Sequence, residues 1–197
     1  MAEQISAQTA KAYRDGDALR LEEARLKYVQ ATLFYPFEYS KSEPLLSEAA
    51  ELAQTNVWYW IDCGRARMAI GDTARALMAF EAAQALTGPD DRDRAAVLTD
   101  IGDVRVAQGD LAAALTAYED GLEIARDLAA RDPGNAGWAR DVWVSLWRLA
   151  RLDKENPVPL WTEVVSRMER MQAAGILLPM DVPYLGMARK NLAAAQE

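Results

Sequence analysis

Apolar and small residues recur along this chain at helical spacing, and one such stretch occurs twice. Gly71 to Glu81, GDTARALMAFE, returns 38 residues later as Gly109 to Glu119, GDLAAALTAYE, with seven of eleven positions identical and Phe80 answered by Tyr118. Gly64 and Gly102 match at the same offset, so the copied unit is longer than one helix. In the first copy, Ala76, Phe80 and Ala83 present a small, large, small face toward the preceding helix, whose inner side is marked by Trp60, Cys63, Gly64 and Ile70. In the second, Leu98, Ile101 and Gly102 take those places, and Leu122, Ala125 and Leu128 prolong the apolar spacing to Pro133. A fixed period of about 20–50 residues marks a solenoid, in which each unit buries its apolar face only against its neighbours.

The flanks follow the same periodicity less regularly. Residues 2 to about 34 read as helix broken at Gly16-Asp17, with Leu19, Leu26, Val29 and Leu33 on one face. LFYPFEYS, residues 33–40, sets four aromatics around Pro36, which is expected to stop the helix. That segment reads as a cap on the open end of the array, with an aromatic contact site as the other reading. Ser42 is the expected N-cap of the next helix with Pro44 in its first turn, and Asn56, Asp72 and Asp181 are expected to cap later ones. Gly88-Pro89 is expected to end a helix, the second copy to begin after the polar run Asp90 to Arg94, and DPGN at residues 132–135 to make a turn. A third unit has Leu146, Leu149 and Ala150 inside, a turn at Asn156-Pro157 and a shortened second helix closed by Gly175. The last helix shares Leu185, Ala188 and Leu192 on one face. The whole is read as one domain over 1–197: N-terminal helices and cap (1–55), repeat one (56–89), repeat two (91–132), a degenerate repeat three (136–175) and a C-terminal capping helix (181–197).

Composition narrows the job. The net charge of −8 opposes nucleic-acid binding, which needs a basic face. No apolar run is long enough to span a bilayer and the first residues lack a signal-peptide pattern, so the expected location is the cytoplasm. Absence of histidine removes Ser/His/Asp, Cys/His and His-zinc chemistry, and the lone Cys63 cannot form an internal disulfide. Only carboxylate chemistry survives on paper, through Asp62, Asp100 and Asp103. No catalytic residue, metal or cofactor is assigned.

Trp60, Gly64, Gly71, Ala76, Phe80, Ala83 and Pro89, then Leu98, Gly102, Gly109, Ala114 and Tyr118, form a pattern that resembles the tetratricopeptide repeat, in a bacterial type with elongated second helices. Gly121 stands where that pattern has alanine, and the closing proline is displaced to Pro133. The resemblance implies an all-α, right-handed solenoid of antiparallel helix hairpins, about three repeats with divergent caps at both ends. It also implies a concave groove, lined by first helices, that binds a peptide or helix of a partner protein. Co-chaperones of the family clamp a carboxylate tail with lysines and asparagines; the corresponding positions here, Ile61, Arg65, Asp100, Val144 and Arg148, leave that clamp incomplete.

With inner faces set aside, the groove candidates are Trp58, Asp62, Arg65, Thr99, Asp103, Val106, Trp147, Arg148 and Arg151. Trp58 and Trp147 would give apolar contacts, while Arg65, Arg148 and Arg151 would engage acidic groups. Trp138, Trp143 and Trp161 are read as packing; Met168, Met171, Met180 and Met187 are candidates for an adaptable surface, with the helical spacing of Met168 and Met171 favouring core. The chain is expected to act as a non-catalytic interaction scaffold or adaptor. The alternative is a self-assembling element that pairs into a homodimer, and after it a carboxylate hydrolase.

Overall fold

A computed structural model describes residues 2–35, 37–89 and 91–197, with the side chains of residues 2–14 outside the description. Every regular element among the described residues is helical: α1 Ala2–Thr32, α2 Tyr39–Leu52, α3 Val57–Ala69, α4 Thr73–Ala85, α5 Arg92–Ala107, α6 Leu111–Arg131, α7 Ala136–Leu152, α8 Val158–Ala173 and α9 Val182–Ala195, with a 3-10 turn at Pro179–Asp181 before α9. None of them is long and apolar enough to cross a membrane. The chain forms two compact units, Met1–Leu86 and Thr87–Glu197. Within each, consecutive helices pack as hairpins, the all-α solenoid architecture that the repeat requires.

The copied stretch explains both hairpins that contain it. Gly71 and Gly109 adopt φ of 82° and 81°, a left-handed conformation that costs other residues energy and lets the chain reverse in two residues. Asp72 and Asp110 then cap α4 and α6 by accepting from the Arg75 and Ala113 amides at 3.0 and 3.1 Å. The reversal lays Phe80 on Gly64 and Tyr118 on Gly102. A Cβ at either glycine would stand under 3.0 Å from three ring carbons, so glycine is required by the close approach and offsets its helix penalty of about 1 kcal/mol. The two aromatics therefore occupy like surroundings.

In the first unit, Ala31, Leu46, Ala50, Cys63, Ala66 and Ala79 make the core. Burial pushes the Cys63 thiol up, consistent with a structural role. Beside it, Arg67 donates to Glu43 and Ser47, both at 2.9 Å, and this bonding outweighs desolvation to hold the Glu43 carboxyl below its usual range. The second unit has a larger core around Tyr118, Leu146, Trp161, Val164 and Met168.

Several expectations change. α1 runs unbroken through Gly16, because a helix glycine with open space around it costs only about 1 kcal/mol and need not end the helix. Its packed side is Ala24 and Ala31, which let α2 approach closely, while Leu19, Leu26, Val29 and Leu33 are more than half exposed. α2 starts at Tyr39, so Ser42 is buried within its first turn, bonding the Tyr39 carbonyl instead of capping. Ile70 is exposed at the end of α3 whereas Ile61 is wholly buried, a one-residue difference in inner register. Asp181 makes no cap; it is wholly buried and bound by Arg140. α8, at 16 residues, is shorter than α6 at 21 but longer than α4 at 13. Pro36, expected to stop a helix, and Asp90, the first of the polar run, lie outside the described residues; the rest of that run is not a spacer, since Asp91 caps α5 and Arg92, Asp93 and Arg94 form its first turn.

Candidate functional site

The second unit carries a cleft of about 490 Å³ whose wall is mostly one stripe of α7. Arg140, Val144, Trp147, Arg148 and Arg151 stand at spacings of three, four or one residues, so a single helix presents three cations and an indole on one side. Asp103 and Val106 from α5, Tyr118 from α6 and Tyr184 from α9 close the cleft around them.

Its charges are set by pairing. Arg148 holds Asp103 bidentately, Nε to Oδ1 and Nη2 to Oδ2 both at 2.9 Å. Tyr118 donates its hydroxyl to the same Oδ1 at 2.6 Å. Burial lowers the Arg148 pKa, but the Asp103 bonds prevail and raise it above the ordinary value. For Tyr118, burial first and the Asp103 bond second raise the phenol, which stays a protonated donor. Arg140 binds the buried Asp181 through Nε and Nη2 at 2.8 and 3.1 Å and lies 5.4 Å from the Trp143 ring centroid. Arg151 is exposed and has no ion-pair partner among the described residues.

The apolar wall is a packed aromatic set. Trp147 meets Trp161 edge-on at 4.9 Å and Tyr184 at 5.7 Å, and Tyr184 reaches Trp143 at 6.1 Å. The Trp143 indole N–H is buried and meets no acceptor among the described residues.

Of the nine sequence-predicted residues, Asp103, Val106, Trp147, Arg148 and Arg151 come together here. Trp58, Asp62 and Arg65 belong to α3 of the first unit. Trp58 is 44% exposed there, and Asp62 accepts from Tyr28 Oη at 2.6 Å with Arg65 3.7 Å away. Thr99 is not on a groove: it is buried, and its hydroxyl donates back to the Ala95 carbonyl at 3.0 Å. The reason is Gly121, whose missing side chain draws α6 onto Thr99. Sequence reasoning missed Arg140 and Trp143 as wall residues, although Arg140 stands eight positions before Arg148, two helical turns along the same stripe. Tyr184 carried no local signal, since only tertiary packing brings α9 to the cleft.

Residues 58–127 match the family model described as the tetratricopeptide repeat. No curated protein matches the chain. Among solved structures, a crystal structure of MamA protein is 18% identical, covers 83% of this chain and 79% of that one, and has a TM-score of 0.50. A second MamA structure is 17% identical over 85% of this chain and 86% of that one, with a TM-score of 0.52. At such identity the likeness is one of fold.

Proposed function

From a chain whose residues 58–127 belong to the tetratricopeptide-repeat family, and which is therefore read as a protein-interaction scaffold, we propose that the cleft of the second unit holds an acidic segment of a partner protein. The observation that carries the reading is charge against background. A chain of net −8 gathers Arg140, Arg148 and Arg151 around one cleft in which Asp103 is the only carboxylate among the lining residues. Arg148 and Arg140 are each neutralised and fixed by a carboxylate, Asp103 and Asp181, so they order the rim, while Arg151 is the net positive charge left to bind a new carboxylate. Trp147 and Tyr184 offer the flat apolar surface that anchors interfaces. Trp58 and Arg65 make a separate contact surface on the first unit. The scaffold acts without chemistry of its own, as an adaptor inside the cell.

The test is peptide display on the full chain, followed by affinities of the enriched peptides for wild type and Arg151→Glu. Enrichment of Asp and Glu, with about tenfold or greater loss in the variant, is expected. Peptides that bind both chains equally remove the cleft from the account.

A second reading, self-association, has an observation of its own: Leu19, Leu26 and Val29 form an exposed stripe on α1, opposite its packed alanines, and Leu33 is exposed in the turn just after it. Sedimentation velocity over a concentration series, with wild type and Leu26→Glu, decides it.

A further inference from the structure

The last helix does more than close the array. Its inner side, Leu185 and Ala188, is buried on the core, as a cap requires. Its outer side should then be polar, yet its first turns expose apolar side chains ahead of Arg189 and Lys190. Tyr184 is 43% exposed, Met187 52%, and Met180, one turn earlier, 69%. Tyr184 lines the cleft, where its ring packs on Trp143 and Trp147, and stands three residues before the exposed Met187 on the same helix. Tyr184 thus ties α9 to the cleft wall, and Met187 carries exposed apolar surface one turn further along that helix.

Two further features bear on what covers this surface. Gly186 lies mid-helix with nothing within 4 Å of where a Cβ would stand. Gly64 and Gly102 are needed to seat a ring, whereas no internal contact needs Gly186; its bare backbone leaves room for a close neighbour. Lys190, one turn after Gly186, is exposed and has no ion-pair partner among the described residues, while its neighbour Arg189 is bound by Glu169 at 2.8 Å. Two exposed cations without ion-pair partners among the described residues are thus available, Arg151 in the cleft and Lys190 three residues beyond Met187 on α9.

We infer that the outer face of α9 is half of the receptor, and that cleft and helix together take one acidic amphipathic helix of a partner protein. This rests on the cleft reading above and extends it. Charge complementarity sets the sign of the partner: unpaired cations on a chain of net −8 select carboxylates. Geometry sets its shape. Tyr184 and Met187 stand three residues apart on α9, with Met180 exposed in the turn that precedes it, and side chains at that helical spacing pack between the side-chain rows of another helix. Methionine suits such a surface because its unbranched side chain repacks around different apolar anchors.

The test uses the full chain and a display library that mixes helical and extended peptides, with the enriched peptides as probes for wild type, Met180→Ser/Met187→Ser and Arg151→Glu. All substituted side chains are exposed, and circular dichroism is expected to be unchanged. The inference expects helical peptides with apolar residues three and four apart and acidic flanks, weakened about tenfold or more by either variant. Acidic peptides that lose affinity with Arg151→Glu but not with Met180→Ser/Met187→Ser leave the cleft reading standing and overturn the role of α9. Peptides insensitive to both variants overturn both. Enrichment of basic sequences, or a self-associating chain that Met180→Ser/Met187→Ser makes monomeric, also overturns the inference, the latter assigning the face to a second copy.

Discussion

The hairpins α3–α4 and α5–α6 are copies of one design, and they differ where it matters for binding. Both seat an aromatic ring on a helix glycine, both reverse through a glycine of positive φ, and both start their second helix with an aspartate cap. Yet Phe80 in the first becomes Tyr118 in the second, and at the same offset Arg65 becomes Asp103. The added hydroxyl and the added carboxylate find each other at 2.6 Å, and that carboxylate recruits Arg148. Packing residues are thus held constant while two substitutions convert a neutral core contact into the anchor of a charged cleft.

The largest effects should come from the shared part. Gly102→Ala and Gly64→Ala are each expected to destabilise, since overpacking costs about 1–3 kcal/mol while alanine returns only about 1 kcal/mol of helix propensity. Gly102→Ala should cost more, because Tyr118 lies closer than Phe80. Urea denaturation measures both, and equal costs would argue that the rings shift freely. Next come the differing positions. Tyr118→Phe should lose about 1.5–3 kcal/mol, the worth of a hydrogen bond to a charged group. Phe80→Tyr alone should gain nothing. Phe80→Tyr with Arg65→Asp should show favourable coupling of about 1 kcal/mol in a double-mutant cycle, and its absence would mean that the pair depends on Arg148 as well.

The copies themselves were legible because the repeat constrains packing: Gly64, Phe80, Gly102 and Tyr118 are forced by close approach and so recur. The α7 stripe was legible in part, because Trp147, Arg148 and Arg151 follow helical spacing. The failures have a common cause. On α1 the sequence shows an apolar stripe at Leu19, Leu26, Val29 and Leu33, but the helix packs through Ala24 and Ala31, since close helix contact favours small residues over large ones. Asp181 had the position of a cap, yet a long-range arginine offered a stronger partner than the local amides. Tyr184 joined the cleft through tertiary packing alone.

Alkaline pH gives a smaller, graded test. Tyr118 and Tyr28 each donate to an aspartate, and in both cases burial and then that bond raise the phenol above its ordinary value of 10.0. Because the folded pKa exceeds the unfolded one, the contribution is complete below about pH 10 and is lost as pH rises beyond it. Tyr118→Phe should flatten this loss only in part, since Tyr28 remains; thermal melts across the alkaline range would show it. The smallest effect belongs to Arg65→Ala, where a partly exposed pair 3.7 Å apart is worth about 0–1 kcal/mol.

The central claim is that the cleft selects its occupant by charge at Arg151. The direct measurement is a charge swap: affinities of one selected acidic peptide and its lysine-substituted form for wild type and for Arg151→Glu. Binding of the acidic form by wild type alone, with the lysine form preferred by Arg151→Glu, is the predicted result. Equal affinities in all four combinations would contradict it.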